Sequence, residues 1–115
     1  TDGTVQTGIF EKALSERGIK AVYPSPEGQK LVMHLIYNDV KAGRPVEKDK
    51  FEAVAHELTE NGAEVMILGC TELSVIADDW LPDGRFLDVL DVLARSSVMD
   101  CGKLKKEYYD LLTEE

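Results

Sequence analysis

The chain has 115 residues and a formal net charge of −9, with 43% hydrophobic and 30% charged residues. This length allows one small domain with its own core, and the acidic balance argues against a nucleic acid or an anionic membrane as partner, because both need a basic face. No apolar run is long enough to cross a bilayer, and no signal peptide is visible.

The first half of the chain predicts three helices and one short strand. Helix starts are expected at Thr4 and Ser25, as N-cap residues, and Gly18 and Gly62 are expected to stop the helices before them. Apolar residues such as Ile9 recur at helical spacing and predict a core face. The predicted elements are helix 5–17, strand 19–23, helix 26–42 and helix 47–61.

The second half predicts an alternation of short strands and helices. The run 64–68 is apolar nearly throughout, as expected of a strand that is covered on both faces. The pattern predicts an α/β fold, a Rossmann-like lobe whose short parallel sheet is flanked by helices. The predicted elements are strand 64–68, helix 73–77, turn 80–84, strand 86–87, helix 88–99 and helix 103–112.

The chain opens on Thr1-Asp2-Gly3-Thr4, which predicts a glycine loop at the start of a helix. Such a loop can bind an anion through its backbone N–H groups, although most loops of this kind are ordinary turns. A strand normally precedes the loop in a βα unit, so we expect the chain to be one part of a larger protein, cut at its N-terminus.

Cys70 is the strongest candidate for a reactive group. It follows strand 64–68 and precedes a helix, and ligands bind at the carboxyl ends of strands in open α/β sheets. The helix N-terminus is expected to lower the pKa of this thiol. The alternative is a buried cysteine that only packs. Cys101 lies outside any motif, and the absence of CxxC pairs and Cys/His clusters predicts reduced thiols, no metal site and a cytoplasmic protein.

Four further residues are weaker candidates. Thr71 and Glu72 follow Cys70, where a hydroxyl and a backbone N–H can hold a carboxylate; the alternative is an N-cap threonine and a first-turn acid. Tyr37 and Lys41 are four residues apart and share a helix face, which is also common for a solvated lysine beside a tyrosine.

Three segments in this order resemble the aspartate/glutamate racemase family, and its aspartate racemase branch most closely. They are Thr1-Asp2-Gly3-Thr4, the segment 36–43 that contains Tyr37 and Lys41, and the run Leu68-Gly69-Cys70-Thr71-Glu72-Leu73. The run with Gly-Cys-Thr-Glu is the most specific of them. Glutamate racemases usually carry histidine where Glu72 stands, so the residue favours the aspartate-type or broad-specificity branch.

The resemblance implies a cofactor-independent enzyme with two α/β lobes, in which each lobe offers one cysteine to the substrate Cα. Cys70 matches the cysteine of the second lobe, and residues 1–115 would form that lobe. Gly3 and Thr4, together with Thr71 and Glu72, match the neighbourhood of the substrate carboxylate. Lys41, with Tyr37 beside it, matches a position that meets the acidic side chain of the amino-acid substrate.

The chain also departs from the family. The first lobe and its cysteine motif are absent, and Asp88-Val89 stands where the family often has Asp-Pro. Other readings stay open: a related thiol enzyme such as a hydantoin racemase, a maleate isomerase or a decarboxylase relative, or a non-catalytic module that binds acidic amino acids. A homodimer stays open as well. An isolated second lobe is expected to be inactive.

Overall fold

The computed structural model describes residues 1–112, and its contacts divide the chain into two compact units, Thr1–Ala63 and Glu64–Glu115. The first unit is helical, and the second contains a parallel sheet. Within residues 1–112, no helix combines the length and the apolar character needed to cross a membrane.

The first unit contains four α-helices and one π-helical turn. The turn, Leu35–Val40, continues the third helix without a break, so the helical path ends two residues before the predicted Ala42. The α-helices are α1 (Asp2–Thr7), α2 (Ile9–Ser15), α3 (Pro26–His34) and α4 (Lys48–Glu60).

Helices α3 and α4 pack on each other, and the core of the first unit is formed by α4 and the π-helical turn that follows α3. The predicted start of α3 is confirmed, since Ser25 is its N-cap, accepts the Gly28 N–H at 3.1 Å and is followed by Pro26 at the first position. Gly62, with a φ of 91°, follows α4 as predicted. The buried apolar side chains of this unit are Leu35, Ile36, Phe51, Val54 and Ala55.

Four predictions for residues 1–23 are wrong. Gly8 adopts a φ of 64°, a left-handed conformation that splits the expected helix 5–17 into α1 and α2. Thr1 rather than Thr4 is the N-cap of α1, and Ile9 is 64% exposed instead of facing a core. Residues 19–23 join no strand ladder, and alternation alone cannot form a strand that has no partner.

The second unit confirms the predicted parallel sheet. Its two strands pair in parallel, with Leu68 opposite Asp88, and a helix follows each strand closely. The connection between them runs through a helix, as parallel pairing requires. The elements are β1 (Met66–Leu68), α5 (Thr71–Asp79), β2 (Phe86–Asp88), α6 (Val89–Cys101) and a 3-10 turn (Lys106–Tyr108).

The core of the second unit lies between the strands and α5, and the end of the chain differs from its prediction. The buried apolar side chains are Met66, Leu68, Ile76 and Phe86. The expected helix 103–112 is wrong, because this segment forms only the 3-10 turn and an antiparallel bridge from Leu112 to Leu87. An isolated helix of that length gains little without an apolar face to bury.

Candidate active site

Cys70 lies where the sequence predicts, between the carboxyl end of β1 and the start of α5. It is the N-cap residue of α5, with an extended backbone (φ −153°, ψ 161°), and its side chain is half-buried. The first N–H groups of α5 have no partner within the helix, and they lie next to this thiol. The placement gives Cys70 access to solvent on one side and to a helix N-terminus on the other.

The predicted low pKa of Cys70 is wrong. Burial raises the pKa of the thiol above its ordinary value, and the backbone N–H of Leu73 opposes this effect without overcoming it. The neighbouring Glu72 carboxylate also raises the pKa by charge repulsion. The Cys70 side chain accepts no cap hydrogen bond of normal geometry, so the helix start stabilises the thiolate less than its position alone suggests. The thiol form therefore prevails at neutral pH.

Thr71 and Glu72 form the first turn of α5 beside Cys70. Thr71 is exposed, and its Oγ1 donates a hydrogen bond to Glu72 Oε2 at 3.1 Å. Thr71 is a helical residue rather than the N-cap that the alternative reading expected. A ligand carboxylate that accepted a hydrogen bond from the Thr71 hydroxyl would replace the Glu72 carboxylate as its acceptor.

Ser74 and Asp88 also belong to this site, and the sequence predicted neither of them as a site residue. Ser74 is 6% exposed, and its Oγ donates to Asp88 Oδ1 at 2.8 Å. The Ser74 N–H donates to the carbonyl oxygen of Cys70 at 3.2 Å. Asp88 Oδ1 also accepts the Leu90 N–H at 2.8 Å, as the N-cap of α6. The sequence signal for this contact was Asp88 itself, an acid placed directly before a helix.

Gly3 and Thr4 lie in the first unit, and the glycine loop predicted there is wrong. Both residues already belong to α1, and the Oγ1 atoms of Thr1 and Thr4 lie 3.2 Å apart. Gly3 is exposed and Thr4 is half-buried. The backbone N–H groups of this segment are those of a first helical turn.

Tyr37 and Lys41 share a face of the first unit, as predicted. The Lys41 Nζ lies 4.4 Å from the centroid of the Tyr37 ring, within the range of a cation–π contact. Tyr37 is 48% exposed and lines an open groove of about 670 Å³. Its other lining residues are Asp2, Gln6, Pro26, Gln29, Lys30, Met33, His34 and Asn38.

His34 meets two carboxylates that its sequence spacing did not predict. Its Nε2 lies 2.8 Å from Glu47 Oε1 and 3.4 Å from Asp39 Oδ1. Each of the three residues offers one side-chain nitrogen or oxygen atom that could bind a metal ion, and these atoms lie within 4.8 Å of one another. Lys50 pairs with the other Glu47 oxygen and supplies a cation to this cluster. Asp39, only 3% exposed, accepts the Glu47 N–H at 2.9 Å. The contacts join the π-helical turn to the start of α4.

A protein-family model covers most of the chain. The model of the Asp/Glu/hydantoin racemase family matches residues 1–96. The matched range includes Gly3, Tyr37 and Lys41 from the first unit as well as Cys70 and Asp88 from the second. Since the match spans well over half of the 115 residues, the chain belongs to the Asp/Glu/hydantoin racemase family.

Proposed function

We propose that the chain is the second lobe of a cofactor-independent amino-acid racemase of the aspartate/glutamate type, with Cys70 as one of its two proton-transferring groups. The observation that carries the proposal is the position of Cys70, half-buried between β1 and the N-terminus of α5. A thiol at such a strand end can reach a ligand, exchange a proton with it and be shielded from bulk water on one side.

Racemisation by two bases needs one acceptor and one donor on opposite faces of the substrate Cα. A thiolate removes the Cα proton, a carbanion-like state forms, and the opposing thiol delivers its own proton to the other face. The two sulfurs end with their protonation states exchanged. Because burial raises the pKa of Cys70, its resting form is the thiol. In this form Cys70 can donate the proton to Cα when one of the two enantiomers is the substrate. The cysteine of the first lobe would then act as the base.

The carbanion-like state needs preorganised donors at the substrate carboxylate. We assign this role to the N–H groups at the start of α5 and to the Thr71 hydroxyl, with Glu72 as the group that the substrate carboxylate displaces. From the family likeness, Gly3 and Thr4 contribute further donors. Lys41, held beside Tyr37, would meet the distal carboxylate of an acidic amino acid.

The test of Cys70 uses the full-length natural protein with aspartate and glutamate. Deuterium incorporation at Cα and the change in optical rotation are measured for the parent, Cys70→Ser and Cys101→Ser. Removal of a general acid or base costs about 100- to 10,000-fold in rate, so Cys70→Ser should lose at least the lower figure. Cys101, exposed at the end of α6, is the control and should retain the parent rate. Cys70→Ser with near-parent turnover would exclude this mechanism.

The 115-residue chain by itself should not racemise amino acids, because it carries one motif cysteine and the exchange needs two. The same assays are run on the isolated chain while its mass in solution is measured. Turnover by a monomer would contradict the two-lobe argument. Turnover confined to a dimer would show that the Cys70 of a second copy takes the role of the first-lobe cysteine.

A hydantoin substrate is the second candidate, because the matched family also includes hydantoin racemases. A 5-alkyl hydantoin has an acidic proton at ring carbon 5 but no α-carboxylate and no distal carboxylate for Lys41 to meet. Turnover of hydantoins that exceeds turnover of aspartate and glutamate in the full-length protein would favour this candidate over the first.

A further inference from the structure

Ser74 connects the backbone of Cys70 to a carboxylate on the neighbouring strand. Ser74 Oγ lies 2.8 Å from Asp88 Oδ1 and 3.3 Å from the Cys70 carbonyl oxygen. A hydroxyl has one proton to donate, and the closer, charged acceptor binds it more strongly. The Cys70 carbonyl is then held by the Ser74 N–H at 3.2 Å. Asp88 therefore fixes Ser74, and Ser74 holds the carbonyl of the residue that carries the thiol.

The register of the sheet explains why Asp88 can make this contact. Asp88 pairs with Leu68 at the end of the parallel ladder, so the ends of both strands lie at one edge. Asp88 is itself fixed, since the same Oδ1 accepts the Leu90 N–H as the N-cap of α6. Ser74 is 6% exposed, so water does not compete readily for its hydroxyl. The contact ties the start of α5 to the start of α6.

We propose that Asp88 and Ser74 are positioning residues for Cys70: the Asp88–Ser74 hydrogen bond holds the N-cap backbone of α5 and so keeps the thiol beside the first N–H groups of that helix. The proposal rests on the proton-transfer role assigned to Cys70 above. Those N–H groups stabilise the thiolate, and they act only while Cys70 keeps its N-cap conformation. Loss of the link lets the cap residue move and weakens that stabilisation.

The test measures the Cys70 thiol rather than turnover. In a Cys101→Ser background, only Cys70 can be alkylated, and the rate of alkylation by iodoacetamide is followed from acidic to alkaline pH. Three variants separate the roles of the groups. Ser74→Ala removes the hydroxyl. Asp88→Ser keeps an N-cap oxygen for α6 but is too short to reach Ser74. Asp88→Asn keeps an oxygen that accepts from both partners.

The matched control is Ser97→Ala. Ser97 Oγ donates to the Leu93 carbonyl at 2.9 Å, four residues earlier in a helix, but it is exposed and does not contact a carboxylate in the described structure. The substitution therefore removes the same kind of helix-internal hydroxyl bond without touching the Cys70 backbone. Circular dichroism confirms that each variant is folded before its thiol is measured.

We expect Ser74→Ala and Asp88→Ser to shift the pH profile of Cys70 alkylation upward, with a rate about 3- to 10-fold lower at neutral pH, the ratio that corresponds to losing one hydrogen bond. Asp88→Asn and Ser97→Ala should stay within about twofold of the parent. Superimposable profiles, or a changed limiting rate with an unchanged midpoint, would overturn the proposal. If Asp88→Ser does not fold, Ser74→Ala decides.

The measurement is independent of the racemase assignment, because alkylation needs neither substrate nor the first lobe. A full-length enzyme that fails to racemise amino acids would remove the proposed function and leave the thiol profiles as they are. In an active full-length enzyme, Ser74→Ala should lower kcat more than it changes KM, since it alters the reacting thiol rather than the substrate carboxylate contacts.

Discussion

The carboxylate of Glu57 accepts the backbone N–H of Ser25, so a residue of α4 caps the start of α3. In an ordinary capping box, a glutamate three residues after the N-cap serine makes this bond. That position is Gly28 here, and a Cβ at Gly28 would collide with Glu57 Oε2. The glycine leaves room for a carboxylate from the neighbouring helix, and the two helices share one cap.

Gly28→Ala should therefore destabilise the first unit, although alanine is a better helix former than glycine by about 1 kcal/mol. The new methyl group would displace the Glu57 carboxylate and lie 3.0 Å from Pro24 Cβ. We expect a net loss of about 1–2 kcal/mol in the free energy of unfolding, measured by urea denaturation with circular dichroism. Gly3→Ala is the control, because a Cβ at Gly3 meets nothing closer than 3.9 Å. The control should be neutral or stabilising.

Glu57→Ala should cost about 1–2 kcal/mol as well, and the two substitutions should not add. Once Glu57 is absent, the methyl group of Gly28→Ala no longer has a carboxylate to displace. The double variant should therefore be at least as stable as Glu57→Ala, in the same urea experiment. Glu52→Ala, at an exposed position of α4, controls for the loss of a glutamate from this helix. Strict additivity of the Gly28 and Glu57 effects would show that they do not act through one cap.

Glu47 should make the stability of the first unit depend on acidic pH. Its hydrogen bonds with Lys50 and then His34 lower its pKa from the ordinary value of 4.5. The folded state thus favours the charged form, so this contribution is present above pH 4.5 and is lost as the pH falls through the lowered pKa. Glu47→Gln should flatten the decline of the urea midpoint between about pH 5 and pH 3. Glu52→Gln should keep the parent slope, and parallel slopes for all three proteins would contradict the assignment.

Local signals predicted the parts of the fold that depend on adjacent residues. Ser25 with Pro26 identified a helix start, and the apolar run before Cys70 identified a strand that ends beside a helix. Both follow from steric and hydrogen-bonding preferences of a few consecutive residues. The parallel sheet followed from strands that alternate with helices. The prediction of one unbroken helix over residues 5–17 was wrong, because a glycine within a helical pattern does not reveal whether its φ will be positive, as that of Gly8 is.

Contacts between distant residues explain what the sequence did not predict. Ser74 meets Asp88 because β1 and β2 pair in register, and the cap from Glu57 depends on the packing of α3 against α4. The thiol pKa is another case, since the helix N-terminus was visible in the sequence but the degree of burial was not. Burial is a property of the packed structure, and here it outweighs the helix N–H groups.

Lys41 should set the preference for acidic substrates in the full-length enzyme. Its Nζ lies 4.4 Å from the Tyr37 ring centroid, so the ring limits where the ammonium can go. A charge-assisted hydrogen bond to a substrate carboxylate contributes on the order of 1.5–3 kcal/mol, roughly 10- to 150-fold in affinity. Lys41→Met keeps most of the stem and removes the charge. We expect a selective loss of kcat/KM for aspartate and glutamate, with little change in thermal stability.

Two further variants separate the charge of Lys41 from its placement. Lys12→Met removes a lysine from an exposed position of α2 and should leave kcat/KM for every substrate at the parent value. Tyr37→Phe keeps the aromatic ring under Lys41 and should retain the preference for acidic substrates, whereas Tyr37→Ala removes the ring contact with the ammonium and should weaken that preference. Rates are compared for aspartate, glutamate and alanine, because alanine has no distal carboxylate. An equal loss for all three amino acids, or unfolding of Lys41→Met, would show that Lys41 supports the fold and does not select the substrate.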